Sequence, residues 1–168
     1  MLEIAAHTPK WVFLLFILLL WLSIKSCFPR EVNPRRALIS PLAFLALSLH
    51  TFMQYPHLVS DMAAWLAGAM IGAALSYSLL QSQRFRLGKN KLTLVAPGTP
   101  VILVITLAYF LLRYYLGYQE ALRADKQAVP LPQLLLMFSS AGFITGFFIC
   151  RAWLLLKNYN LLSRAVAP

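Results

Sequence analysis

Acidic side chains are scarce in this chain. Asp and Glu together number 5 among 168 residues, and all charged residues make up 12%, about half the quarter typical of a soluble domain. That poverty argues against a soluble domain and leaves no acid–base pair that can be named. Cysteine is rarer still. Cys27 and Cys150 lie far apart and form neither a CxxC nor a metal-finger spacing, and both fall near the same predicted cytoplasmic face, where a reducing compartment disfavours a disulfide. No catalytic serine elbow, phosphate loop or HExxH occurs. The expectation is a non-enzymatic protein with no catalytic residue, no cofactor and no metal.

What the chain has instead is hydrocarbon. Hydrophobic residues make up 60% and the mean hydropathy is +0.70. Five runs approach the roughly 20 apolar residues that a spanning helix needs: 11–28, 37–55, 62–80, 101–118 and 134–156. Lys25 interrupts the first near its end, Pro41 lies in the first turns of the second, Arg113 lies inside the fourth, and Arg151 is near the end of the fifth. Hydrocarbon offers no partner for free backbone groups, so these runs should be helices. A membrane β-barrel would need short alternating segments instead. The predicted fold is all-α: one domain over 1–168, a polytopic bundle of five transmembrane helices.

The formal net charge of +10 would suggest nucleic acid in a soluble protein. In a membrane protein it must be read by position. The first loop carries Lys25, Arg30, Arg35 and Arg36, the third Arg84, Arg86, Lys89 and Lys91, and the C-terminal end Arg151, Lys157 and Arg164. The other side has Lys10, Arg123 and Lys126 against Glu3, Asp61, Glu120 and Asp125. The alternation places the N-terminus outside and the C-terminus in the cytoplasm. A cleaved signal peptide fits the first run poorly, since its leading region has Glu3 and only Lys10 as a cation.

Between the third and fourth runs, Arg84-Phe85-Arg86-Leu87 and Leu92-Thr93-Leu94 alternate around Gly88-Lys89-Asn90. Period-two alternation about such a turn predicts a short cytoplasmic β-hairpin. The favoured reading is a loop that sets the topology by its positive charge; the other is a membrane-surface hairpin, in which Arg84, Arg86, Lys89 and Lys91 meet anionic lipid headgroups while Phe85 and Leu87 bury against the bilayer. A single Phe is too little aromatic surface for base stacking, so no nucleic-acid role is expected. Pro97-Gly98-Thr99-Pro100 turns the chain into the next helix.

The third run repeats small residues every four positions, Ala64, Gly68, Gly72 and Ser76, and the fifth has Ser139, Gly142 and Gly146. Such ridges let backbones approach closely in a membrane. They predict packing of the third helix on the fifth within one bundle; a homodimer is the other use of the same face.

Three histidines, His7, His50 and His57, fall on the predicted outer side, with Asp61 four residues after His57. Imidazole and carboxylate bind transition metals, but no defined ligand spacing supports a metal site. Ser60-Asp61 before Met62 reads as a helix cap. An arginine inside a span suggests function or a partner; Arg113 either snorkels among Tyr109, Tyr114, Tyr115 and Tyr118, binds an anionic headgroup, or pairs with Asp61. The leading functional expectation is an accessory or assembly subunit with a membrane-protein partner, because the spans offer little beyond Ser48, Ser76, Ser78, Thr106, Ser139, Ser140 and Thr145. The alternative is a small transporter or lipid-handling protein with Arg113, His50, Asp61 and His57 about an outer polar cavity.

Residues 41–157 contain Trp65-Leu66-Ala67-Gly68 with Gly72, a basic turn between alternating strands, Pro97-Gly98-Thr99, and Arg113-Tyr114 with Gly117. This pattern resembles an uncharacterised family of small bacterial multispan inner-membrane proteins, loosely CcdC-like. The resemblance implies no established function, and the chain lacks a CxxC or haem-handling motif. It implies that the third helix, the basic hairpin and the fourth helix form one unit.

Overall fold

The computed structural model describes residues 21, 24–25, 27–28, 30–33, 36–54, 58–83, 85–87, 94–121 and 129–165. The first expected span, 11–28, lies almost wholly outside them. A 3-10 turn over Arg36–Leu38 leads into α1, Ile39–Gln54. Then follow α2, Leu58–Leu80, α3, Pro100–Ala121, and α4, Leu131–Ala165. Prolines stand at the starts, Pro41 in the first turn of α1, Pro100 opening α3 and Pro132 second in α4, where a missing N–H removes no helical bond. The Pro130 carbonyl accepts from the amides of Gln133 and Leu134 and closes the first turn of α4.

Three helices are long and apolar enough to cross a membrane, over Ser60–Leu80, Pro100–Gln119 and Leu131–Ser163. The chain is a membrane protein on that ground. The 16 residues of α1 rise roughly 24 Å, and the 3-10 turn that runs into it adds roughly 6 Å, together close to the ~30 Å hydrocarbon thickness. The 35 residues of α4 rise roughly 50 Å and overshoot it. The fifth run therefore ends beyond the expected 156, in a helical overhang.

The central helix is α4: of its apolar window 61% is buried, against 22% for α2 and 17% for α3. It touches all three other helices and the sheet. On α4, Gly142 and Gly146 lie under the Trp65 and Ala69 carbonyls of α2, and Gly68 and Gly72 of α2 lie under those of Ser139 and Phe143. These pairs advance together, so α2 and α4 run parallel. Phe44 stacks on Phe148 at 5.0 Å and Phe52 meets Phe138 at 4.7 Å, so α1 runs against α4. Tyr109 meets Phe44, and Arg113 meets Thr51, so α3 runs with α1.

A Cβ on any of these four glycines would collide with a backbone carbonyl of the other helix. The small-residue ridges are thus used inside the chain, face to face, and the contact continues at buried Ser76, while Ala64 is half-buried at its edge. Between helices in a membrane such close approach substitutes dispersion and Cα–H···O contacts for the hydrophobic force that lipid does not supply.

The hairpin is one part of a larger sheet. β1 (Arg30–Val32), β2 (Arg86–Leu87) and β3 (Leu94–Ala96) lie in the order β1-β3-β2, both pairings antiparallel. Glu31 and Arg86 both stand opposite Val95. Buried Leu94 and Ala96 pack with Leu155 of α4, flanked by Val32, Ala37, Phe85, Tyr159 and Leu162. β2 and β3 pair as the expected hairpin, but the expectation of two strands alone is corrected, since a third strand joins them and their apolar face packs on α4. Two strands alone are marginal; a third strand and the overhang of α4 supply the missing partners. The unit implied by the family resemblance is corrected too, because the main partner of both α2 and the sheet's apolar face is α4.

Candidate functional site: buried polar groups at the end away from the sheet

The sheet packs near the C-terminal end of α4, beyond the end of α2. Polar side chains gather at the opposite end, near the start of α2 and α4 and the later turns of α1 and α3. Asp61 is fully buried, at 0% exposure, in the first turn of α2. The helix begins at Leu58, so Asp61 is inside it and not the cap expected before Met62. A carboxylate there suits the positive end of the helix dipole. Its Oδ1 accepts from the Ser60 hydroxyl at 3.4 Å, a long bond. Among the described residues its Oδ2 has no hydrogen-bond partner.

One helical turn on, the indole Nε1 of Trp65 is also buried and without a partner. Spacing of four puts the two side chains on one helix face. An acceptor and a donor thus stand one helical turn apart, each buried and unmet among the described residues, where an unmade hydrogen bond costs about 1–3 kcal/mol. Aromatic rings wall the Trp65 side: Phe52 of α1 is 6.5 Å away, and Phe138 of α4 packs on Phe52.

Arg113 is half-buried. Its Nη2 donates to the Thr51 hydroxyl at 3.0 Å, and Tyr109 stands one turn earlier on the same helix. The structure brings Arg113 to Thr51 and Tyr109; the Oδ2 of Asp61 it leaves unpaired. One turn before Thr51, the Ser48 hydroxyl lies 3.3 Å from that of Thr145 on α4. Thr145 already donates to the Ala141 carbonyl at 2.7 Å, so its one proton is used and Ser48 must be the donor. Ser48 and Thr51 form a polar stripe on α1 that ties it to both α4 and α3. Buried Ser76, further along α2, has an unpartnered hydroxyl.

His50 is placed on α1 between Ser48 and Thr51, its side chain outside the description, and His57 lies outside the described residues. Among the described residues no three His, Cys, Asp or Glu side chains gather as a metal site would require. Of the basic hairpin, Arg86 is placed opposite Val95; Arg84, Lys89 and Lys91 lie outside the described residues. Three cation–aromatic pairs mark the sheet end: Lys157 over Trp153 and Lys25 over Trp21, each at 5.0 Å, and Arg151 over Phe148 at 6.0 Å. Sequence reasoning missed Trp65 as the companion of Asp61 and Thr51 as the partner of Arg113. The i, i+4 spacing of Asp61 and Trp65 and the i, i+3 spacing of Ser48 and Thr51 were the available signals.

Residues 1–165 match a family of unknown function, DUF6622. As the sequence resemblance implied, the family is uncharacterised; the match does not name the CcdC-like proteins. No curated protein and no solved structure matches the chain.

Proposed function

We propose that this chain, which belongs to the family of unknown function DUF6622, is a non-enzymatic five-span protein of the bacterial inner membrane that binds a small polar solute or a lipid headgroup at the polar end of its bundle. The observation that carries the reading is Asp61, fully buried with one oxygen unpartnered. An ionisable group inside a membrane bundle is expensive and marks a site by default. Asp61 faces its own bundle and not lipid, which favours ligand handling over an accessory or assembly role.

The topology in this reading has the N-terminus outside and the C-terminus cytoplasmic. Two features support it. β1, from the first loop, pairs with β3, from the third, and both pack on the overhang of α4, so the three basic segments share one end. Lys and Arg collect on the cytoplasmic side of membranes, and Trp is favoured at interfaces, where this reading puts the Lys157–Trp153 pair. A reporter fused after Pro168 should be active only in the cytoplasm; activity on the far side would invert the topology.

Native mass spectrometry of the tagged protein, released gently from its own host's membrane, tests the functional reading. The expected species is the chain alone, or a small homo-oligomer, retaining a lipid or solute. A defined heteromeric mass without bound small molecule would sink it in favour of an accessory subunit. A homodimer would have to use a face other than the glycine ridge, which α4 occupies.

A further inference from the structure

Resting on that ligand-binding reading, we propose that Asp61 and Trp65 recognise a protonated amine that carries a hydrogen-bond-accepting oxygen beside it. Ethanolamine has this chemistry, as a free solute or as a phospholipid headgroup. The Oδ2 of Asp61 lacks a donor, the Nε1–H of Trp65 lacks an acceptor, and both are buried one turn apart on the same face of α2. Indole nitrogen donates only, so a bare cation leaves Trp65 unmet. A ligand that only accepts leaves Asp61 unmet. An ammonium group with a neighbouring oxygen meets both.

Charge points the same way. A buried carboxylate is stabilised by a counter-charge in contact with it, and the guanidinium of Arg113 donates to Thr51 and not to the Oδ2 of Asp61. One ammonium neutralises one carboxylate. The rings of Trp65 and Phe52 add cation–π attraction and an apolar wall for the methylenes of such a ligand. A divalent metal is a poorer fit, since it needs several oxygen or imidazole ligands and the described residues bring no such cluster together.

The test uses the full chain in lipid nanodiscs, read by thermal melting and by native mass spectrometry. The soluble probes are ethanolamine and phosphoethanolamine, each against its choline counterpart, whose quaternary nitrogen has no N–H to donate. The lipid arm compares discs containing phosphatidylethanolamine with discs of phosphatidylcholine or phosphatidylglycerol. Ethanolamine-bearing probes should raise the melting temperature and be retained, while choline versions should not. A response to the soluble probes assigns a solute site; a response confined to the lipid arm assigns a headgroup site.

Asp61→Asn keeps the side chain's size and should weaken retention at least about tenfold, the loss expected for a charge-assisted hydrogen bond. Trp65→Phe keeps a ring, removes the N–H and should weaken retention less. Should Asp61→Asn fail to fold, the Trp65→Phe and ethanolamine-against-choline comparisons still decide. Equal retention of the choline forms, or retention unchanged by these substitutions, overturns the amine assignment and leaves ligand binding standing. Retention of nothing in any arm overturns both readings.

Discussion

α4 is held in two physically different ways along its length. Over Ser139–Gly146 it lies against α2 so closely that four glycines leave no room for a methyl group. Over Leu155–Leu162 it projects beyond a bilayer's thickness and carries the sheet, where Leu94 is fully buried at 0% exposure. The first contact depends on shape, because lipid is as apolar as leucine and burial alone drives nothing. The second depends on apolar surface leaving water. One helix thus joins a steric seam to a hydrophobic core of the kind found in soluble proteins.

The sharpest way to break this contrast is to fill the seam. Gly72→Leu drives a side chain into the Phe143 backbone and should destabilise the bundle by about 3 kcal/mol or more, the upper range for overpacking. Melting in nanodiscs should fall steeply, and a variant that melts like the parent would show the seam to be loose. Leu94→Ala attacks the other half. It should cost about 2–4 kcal/mol as a buried truncation, but locally: faster trypsin cleavage between Arg84 and Lys91 and faster maleimide labelling of Cys27, whose carbonyl abuts Gly98, with α2 and α4 still paired. Loss of the entire fold would merge the two regions into one cooperative unit.

A smaller effect sharpens the comparison at the end away from the sheet. Thr51→Val removes the hydroxyl that accepts from Arg113 and should cost about 1 kcal/mol, the low end for an unmet donor because the guanidinium is only half-buried; an unchanged melting temperature would mean that Arg113 reaches water or headgroups instead. The smallest expected change is Lys157→Gln, which removes an exposed cation–π pair worth about 0.5 kcal/mol. It should leave melting almost unaltered, and a large drop would assign Lys157 a role beyond the interface.

The readable parts of the molecule were those that depend on local composition. The runs at 37–55, 62–80, 101–118 and 134–156 correspond to α1 through α4 because a long apolar run has few alternatives to a helix. Gly68, Gly72, Gly142 and Gly146 were legible as ridges because four-residue spacing is a property of one helix. Strand β1 was not legible. Arg30-Glu31-Val32 is three residues of mixed polarity, and only β3, more than sixty positions away in the chain, makes it a strand. The site was half legible: Asp61 and Arg113 stand out as charges in apolar surroundings, whereas Trp65 and Thr51 look like ordinary span residues until a neighbour is seen.

Composition and charge order alone were enough to show runs long and apolar enough to cross a membrane and which segments between them are basic. Both follow from summed transfer energies and charge positions that no packing arrangement can alter. The packed fold was needed to show that α4 is the centre, that the glycine ridges face each other, and that Asp61 is sealed inside while Arg113 is tied to Thr51. Those outcomes depend on which helix faces meet, and a single helix's pattern carries the face without naming its partner.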